Sequence, residues 1–484
     1  MQTGSLSAAR RRIEKLLDDR SFVEIGARIT ARSTDFNMGG KQIPSDGVIT
    51  GYGRIEGSLV YVYSQDAEIL GGSLGEMHAK KIANLYSLAI KTGAPLIGFV
   101  DCSGFRLQEG TDALDAFGSL YINQSRAKGV ILQIQGIFGR SAGGMAISSV
   151  LSDFTFMESR DAKLFINSPN AIAKHHQEKC DTSSADFQSK KAGNIDGAGT
   201  EDEIIAGIRT LVSILPANNE ENFSHEECRD DLNRKTEQIA SYRLDTGLLL
   251  AEVSDGHFYL ELKEDFAPEM LTAFIRLNGR TIGCIANRGE KLDREGKKQE
   301  DFELLLTDKG CNKAAEFVEF CDAFRIPVLS LVNVKGFAAT CCTEKRLAGS
   351  GAKLLHAFTK ASVPKLSLLI GEAFGSAYLC MNAKSTGADL VFAWEDAAIG
   401  LMDAKEAARI IYADEIAEAK EPGELLREKT KEYHQLQSSV ESAARRGCID
   451  DIIAFEDTRK KLIFAFEILL SKKENREWKK YRGF

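Results

Sequence analysis

A glycine-rich stretch in the first half of this chain returns in altered form 232 residues later, and this recurrence limits the possible folds more than any other feature. Gly139-Arg-Ser-Ala-Gly143-Gly144 is matched by Gly371-Glu-Ala-Phe-Gly375-Ser376, each after an apolar run (130–138 and 366–370). The same offset pairs Pro95 with Pro327, Asp101 with Asn333 and Gly104 with Gly336. Agreement at one offset implies a duplicated α/β unit in which a strand ends in a glycine turn and opens into a helix. Backbone N–H groups at such a turn lack partners, and glycine lets a ligand approach them closely. Two equivalent turns therefore offer two anion or oxyanion sites.

A chain of 484 residues exceeds what one hydrophobic core normally supports, so two domains are expected, 1–235 and 236–484. The charge balance of 62 basic against 70 acidic residues, net −8, gives no electrostatic case for nucleic acid or an anionic membrane. The first dozen residues are polar and basic without an apolar core, unlike a secretory signal, and no apolar run reaches membrane-spanning length. Ten scattered cysteines read as reduced thiols in a cytoplasmic protein. Cys341 and Cys342 are adjacent and have no C-x-x-C partner, and His175-His176 stand in a polar segment, so no metal site is expected.

Strand and helix alternate as in α/β architecture. Residues 7–24 begin as a helix and run into Phe22-Val23-Glu24. Residues 47–53 and 58–63 form a hairpin about Glu56-Gly57. A helix over 76–88, a buried strand over 95–100, a helix over 114–121 and a strand over 130–138 lead to the first glycine turn, followed by a helix and a strand over 154–157. The polar stretch 168–240, interrupted by a helix over 200–214, reads as the end of the first domain plus a linker. A second hairpin about Asn278-Gly279, a buried strand over 327–334 and a helix over 351–359 repeat the plan. The last 80 or so residues are amphipathic and charge-rich, as surface helices are.

Taken together, Asp46-Gly-Val-Ile-Thr-Gly-Tyr-Gly53, Ser64-Gln-Asp66, Gly71-Gly-Ser-Leu-Gly-Glu-Met-His-Ala-Lys-Lys81, Gln108-Glu-Gly110, Cys321-Asp-Ala-Phe-Arg-Ile-Pro-Val328, Gly351-Ala-Lys-Leu-Leu355, Gly387-Ala-Asp389 and Ala393-Trp394 resemble the carboxyltransferase component of biotin-dependent acyl-CoA carboxylases and decarboxylases over nearly the whole chain. The resemblance implies tandem crotonase-like domains, the first on the acyl-CoA side and the second on the carboxybiotin side. Each would hold one oxyanion hole built from backbone N–H groups. By the resemblance, Gly143 and Gly144 form the hole for the thioester and Ser376 and Ala377 the hole for the ureido oxygen of biotin. Gly104, Arg106, Met145, Gly336, Phe337, Gly375 and Leu379 are drawn into substrate binding. Chemistry of this kind depends on positioned dipoles rather than on a side-chain base.

The resemblance also implies partners: an acyl-CoA, a biotin carboxyl carrier protein, a biotin carboxylase or membrane decarboxylase subunit, and further copies of the chain in a dimer or a trimer of dimers. The chain has no Met-Lys-Met biotinylation motif and no ATP-binding glycine loop. Several positions depart from the family pattern. Ser376 stands for glycine, Met145 for alanine, and Cys102-Ser-Gly-Phe-Arg106 for Ser-Gly-Gly-Ala-Arg. Residues 335–341 lack both expected prolines, and 187–193, beyond Ser168-Pro169, replace a glycine-rich element of the acyl site. These departures open an alternative, a catalytically decayed subunit that binds CoA or aids assembly. A biotin-independent hydratase or isomerase would need paired carboxylates beside a hole, and only Glu372 lies near one in sequence.

Overall fold

The computed structural model describes residues 6–32, 35–40, 43–168, 171, 181–221, 227–293 and 295–474. The chain divides into two compact units, 1–222 and 223–484. In the first, β1 (Val23–Ile25), β2 (Val48–Ile55), β3 (Ser58–Gln65), β4 (Leu96–Cys102), β5 (Gln133–Ala142), β6 (Phe154–Glu158), β7 (Lys163–Phe165) and β8 (Gly197–Gly199) form one sheet. Its order is β1-β2-β3-β4-β5-β6-β8, with β7 beside β5. The first three strands are antiparallel neighbours and the rest run parallel.

The second unit repeats this topology strand for strand. It carries β9 (Tyr259–Leu262), β10 (Met270–Leu277), β11 (Arg280–Asn287), the hairpin strands β12 (Glu290–Leu292) and β13 (Lys298–Asp301), β14 (Leu305–Leu306), β15 (Val328–Val334), β16 (Gly336–Phe337), β17 (Lys365–Phe374), β18 (Leu390–Trp394), β19 (Ala398–Gly400) and β20 (Asp451–Ile453). The main sheet reads β9-β10-β11-β15-β17-β18-β20, with β19 beside β17, while β14 and β16 form a separate parallel pair. β4 and β15, and likewise β5 and β17, share their bounds at the 232-residue offset. Even their irregularity repeats. The parallel register slips between Val100 and Cys102 in β4 and between Val332 and Val334 in β15.

Local chemistry explains the element boundaries. Glu56-Gly57 and Asn278-Gly279 all have positive φ, as two-residue hairpin turns require. The helix Glu76–Thr92 stops at left-handed Gly93. Thr200 and Thr340 each form a capping box, starting the helices Glu201–Ile214 and Cys341–Lys360. The second helix therefore begins well before the expected residue 351. The opening helix, Ala8–Leu16, is shorter than the reading of 7–24, because Leu17 is already extended and Val23 joins a strand.

The polar stretch read as the end of the first domain plus a linker divides between the two units. Residues 181–221 complete the first unit, with β8 extending its sheet, whereas 227–236 pack with the second. Arg234 donates to the carbonyls of Glu252 (2.9 Å) and Ser254 (3.0 Å), and the Thr236 amide donates to that of Glu456 (3.1 Å). Each unit buries its own apolar cluster. One gathers Tyr86, Leu96, Phe117 and Leu120, and the other Leu271, Leu329, Leu368 and Trp394. Each such side chain contributes roughly 1.5–3 kcal/mol through burial.

A buried lysine also repeats. Lys81 donates to the carbonyls of Ser45 (2.9 Å) and Val48, and Lys313, 232 residues on, to those of Lys263 (2.8 Å) and Phe266 (2.8 Å). Each ammonium thus ties the loop entering the hairpin to the first long helix of its unit. Burial, opposed by the Glu261 carboxylate, pushes the Lys313 pKa down to about 7. Both states are charged below about 7 and both neutral above the unfolded value of about 10.4. Between these limits the unfolded chain binds the extra proton, so this residue makes stability rise with pH. Denaturant titrations at pH 7 and 9.5 should show a smaller pH-dependent gain in Lys313→Met than in the wild type, by up to about 1.4 kcal/mol per pH unit. Equal gains would place the folded pKa near the ordinary lysine value.

Candidate active site

β5 ends at Ala142, and the chain turns at Gly143 with φ 59° and ψ −125°, a conformation closed to side-chain-bearing residues, before entering the helix Gly144–Leu151. The Gly143 N–H is committed to the Phe165 carbonyl of β7 (2.9 Å). Gly143 thus serves through its backbone angles, and the amides beginning at Gly144 are the first in the helix without an intrahelical acceptor. No heavy atom lies within 4 Å of where a Gly143 Cβ would stand, so the space beside the turn is open. A Cβ on Gly144 would stand 3.1 Å from the Tyr121 hydroxyl, which donates to the Gly144 carbonyl (2.7 Å).

β17 ends in the same way. Gly375 has φ 60° and leads into the short helix Gly375–Cys380. Ser376 lies in the helix rather than in the left-handed region, so its side chain costs no backbone strain. Ser376 is exposed and Ala377 is buried. One position further on the two turns agree again. Ile147 and Leu379, 232 residues apart, are 48% and 39% exposed. Leu379 was expected in the site. Its counterpart Ile147 was missed, although the offset alone points to it.

The other expected residues divide between the surface and the scaffold. Gly104 has φ 105°, and its carbonyl accepts from the Leu74 amide (2.8 Å). Gly336 and Phe337 form β16 against Leu305 and Leu306, anchored by the Lys335 and Ala338 amides (2.8 and 2.9 Å). Met145 is fully buried in the core of the first unit, so its bulk does not narrow the space before the turn. Arg106 is likewise buried, and its guanidinium binds the Asp46 carboxylate, Glu109 (2.7 Å) and the Ser73 carbonyl (2.9 Å). These contacts make Arg106 a scaffold residue. Glu109 also accepts from the Glu76 amide at the start of the helix Glu76–Thr92, and Asp46 from the His78 amide (2.7 Å). Gly75 leaves room for the cluster, because a Cβ there would strike the Arg106 guanidinium. Burial raises the Asp46 pKa against the pull of Arg106 and pushes neutral His78 down to about 3.

Glu372, beside the second turn, faces Lys335 (3.5 Å). Of the divergent 187–193 segment, Gln188–Ala192 winds as a π-helical turn that ends at Gly193. Gln188 donates to the carbonyls of Leu164 (3.2 Å) and Thr182 (2.7 Å), bracing the strand that receives the Gly143 amide. Pro169, His175 and His176 lie outside the described residues. Among the described residues, no three His, Cys, Asp or Glu side chains converge as a metal would require. No helix there is long and apolar enough to cross a membrane.

In each of two α/β sheets of the same topology, a central strand thus ends in a positive-φ glycine that opens into a helix. Comparison with known proteins identifies the family: the carboxyl transferase domain model matches residues 2–484, and this chain belongs to that family. It is 36% identical to the propionyl-CoA carboxylase beta chain of Roseobacter denitrificans and to the methylmalonyl-CoA decarboxylase subunit alpha of Propionigenium modestum. Both matches cover 98% of this chain and 92% of the relative. The transcarboxylase 12S hexamer with methylmalonyl-CoA bound superposes with a TM-score of 0.91 at 36% identity, covering 98% of this chain and 92% of the 12S chain. The fold is thus the tandem crotonase-like α/β arrangement.

Because Arg106 compensates two buried carboxylates, Arg106→Ala should destabilise the protein by about 3–5 kcal/mol, read as a lower denaturation midpoint. A midpoint within error of wild type would return Arg106 to the substrate side. Gly143→Ala should cost about 1–3 kcal/mol through backbone strain alone, measurable in the same titration.

Proposed function

We propose that this chain is the carboxyltransferase subunit that moves a carboxyl group between biotin and an acyl-CoA. The observation that carries this reading is the pair of glycine turns, placed at the ends of equivalent strands with the same left-handed φ and with accessible faces. Removing a proton, or a carboxyl group, from the carbon beside a thioester leaves negative charge on the thioester oxygen. Amides held at a turn stabilise this charge without reorganising, and one such donor is worth about 3–4 kcal/mol of barrier. Biotin, carried on a partner protein, supplies the carboxyl carrier. The amides from Gly144 onward serve the thioester, and those of Ser376 and Ala377 serve the ureido oxygen. Ile147 offers aliphatic surface beside the thioester turn, which favours an acyl-CoA with a small apolar substituent such as propionyl or methylmalonyl.

The departures that pointed to a decayed subunit are absorbed by the scaffold. Met145 packs inward, Ser376 needs no special backbone angles, and the Thr340 capping box starts a helix where the prolines are missing. The partners that fit are a biotin carboxyl carrier protein with a biotin carboxylase or a membrane decarboxylase subunit. Further copies of this chain fit as well, since Leu114, Ile122, Ile410 and Ile411 stand exposed on helices. All nine described cysteines are free thiols, as in a cytoplasmic protein.

Purified protein with free biotin should release CO2 from one of malonyl-, methylmalonyl- or glutaconyl-CoA. Gly144→Val should abolish release, and because its Cβ would press on Tyr121 and Phe117 the denaturation midpoint is read beside it to separate lost donors from a loosened fold. No release across the panel, with CoA still bound in calorimetry, would favour a non-catalytic subunit.

A further inference from the structure

The register slip in β4 leaves a gap in the parallel ladder, and one side chain fills it. At Asp101, between the slipped residues, the carboxylate turns toward β5 and accepts the Arg140 amide (3.1 Å). Gly139 makes this possible, because a Cβ there would fall inside the Asp101 carboxylate. The Asp101 amide in turn donates to the side-chain oxygen of buried Gln65 at the end of β3 (3.1 Å). With that oxygen engaged, the Gln65 amide nitrogen is left to face His78 Nε2 (3.1 Å). A relay therefore crosses three strands and ends three residues before Gly143.

The second unit contains the same relay in different residues. Buried Asn287 at the end of β11 accepts from the Asn333 amide (3.3 Å), and the Asn333 side-chain oxygen accepts the Glu372 amide (3.0 Å). A Cβ on Gly371 would stand 2.5 Å from that oxygen. What the two units share at this point is an acceptor oxygen on a short side chain, not a charge. This explains why aspartate and asparagine occupy equivalent positions.

We propose that Gln65 and Asp101 in the first unit, and Asn287 and Asn333 in the second, are positioning residues that hold the two glycine turns in their oxyanion-binding geometry from behind. They touch no substrate. Without the acceptor, the Arg140 or Glu372 amide loses its partner at the ladder gap, and the strand end that aims the turn is no longer fixed. This proposal rests on the carboxyltransferase reading above.

The test compares Asp101→Ala, Asp101→Asn and Asn333→Ala in the free-biotin assay, with the thermal midpoint as a folding control. Both alanine variants should lose about 10–100-fold in kcat while the KM for acyl-CoA stays within about threefold, because a displaced donor fails the transition state rather than the bound substrate. Asp101→Asn restores the acceptor and should recover most of kcat. Gly139→Ala should mimic Asp101→Ala, and the two combined should cost less than the sum of the single effects. Wild-type kcat in both alanine variants, a change confined to KM, or an asparagine as impaired as alanine would overturn the proposal. Amide hydrogen exchange supplies a readout independent of turnover. Asp101→Ala should speed exchange over residues 139–145 and leave the helix Glu76–Thr92 unchanged. If the wild type turns over no thioester, the carboxyltransferase reading falls, and unchanged exchange at 139–145 would overturn the positioning role as well.

Discussion

Everything near the two turns depends on a break in a parallel ladder that a side chain repairs. Where the register slips, one residue of β4 or β15 stands opposite three of the next strand, 138–140 or 370–372, and the oxygens of Asp101 and Asn333 take the Arg140 and Glu372 amides. The Glu372 amide is partly buried and the Arg140 amide exposed, so the side-chain acceptor fixes where each strand end lies more than it adds to stability. After the slip the strand ends, the following glycine takes a positive φ, and a helix starts. Strand, break and turn form one device, present once in each unit.

Around that common device the two units have diverged in charge. The residue whose amide is held is Arg140 in the first and Glu372 in the second, and Glu372 is drawn to Lys335. Ile147 and Leu379 stayed aliphatic at matching positions, so the apolar surface beside each turn was kept while its ionic surroundings changed sign. Such a pattern suits two ligands that both need a donor pair but differ in the groups flanking the reacting atoms.

Behind the turns, buried charges hold the layers together. Arg106 with Asp46 and Glu109, Arg288 with Glu261, and Arg459 with Asp255 all pair deep in the protein. Such pairs add little net stability over a well-packed apolar substitute, but breaking one exposes an uncompensated charge in a low-dielectric interior. Lys81 and Lys313 act similarly through carbonyls. Many of the motifs that identified the family belong to this framework rather than to the chemistry. Asp46 and Glu109 build one ion cluster with Arg106, Gly75 leaves room for it, and Gln65 braces Asp101.

By itself the sequence determined the duplication, the two hairpins, the buried strands and the location of both turns. Each of these depends on short-range signals, namely apolar runs, Asn-Gly and Glu-Gly turns, and glycine where φ is positive. It also located Gly144, Ser376 and Ala377 at the helix starts. Only the tertiary structure decided which neighbouring residues serve the site and which serve the scaffold. Met145, next to the first turn in sequence, and Arg106, at the end of the loop after β4, both face the core, because their partners (Gln65 for one, Asp46 for the other) come from strands and loops far away in the chain. The start of the helix at Cys341 and the role of Asp101 were hidden for related reasons. A threonine cap is weak as a sequence signal, and a side-chain acceptor is needed only where folding has left an amide unpaired.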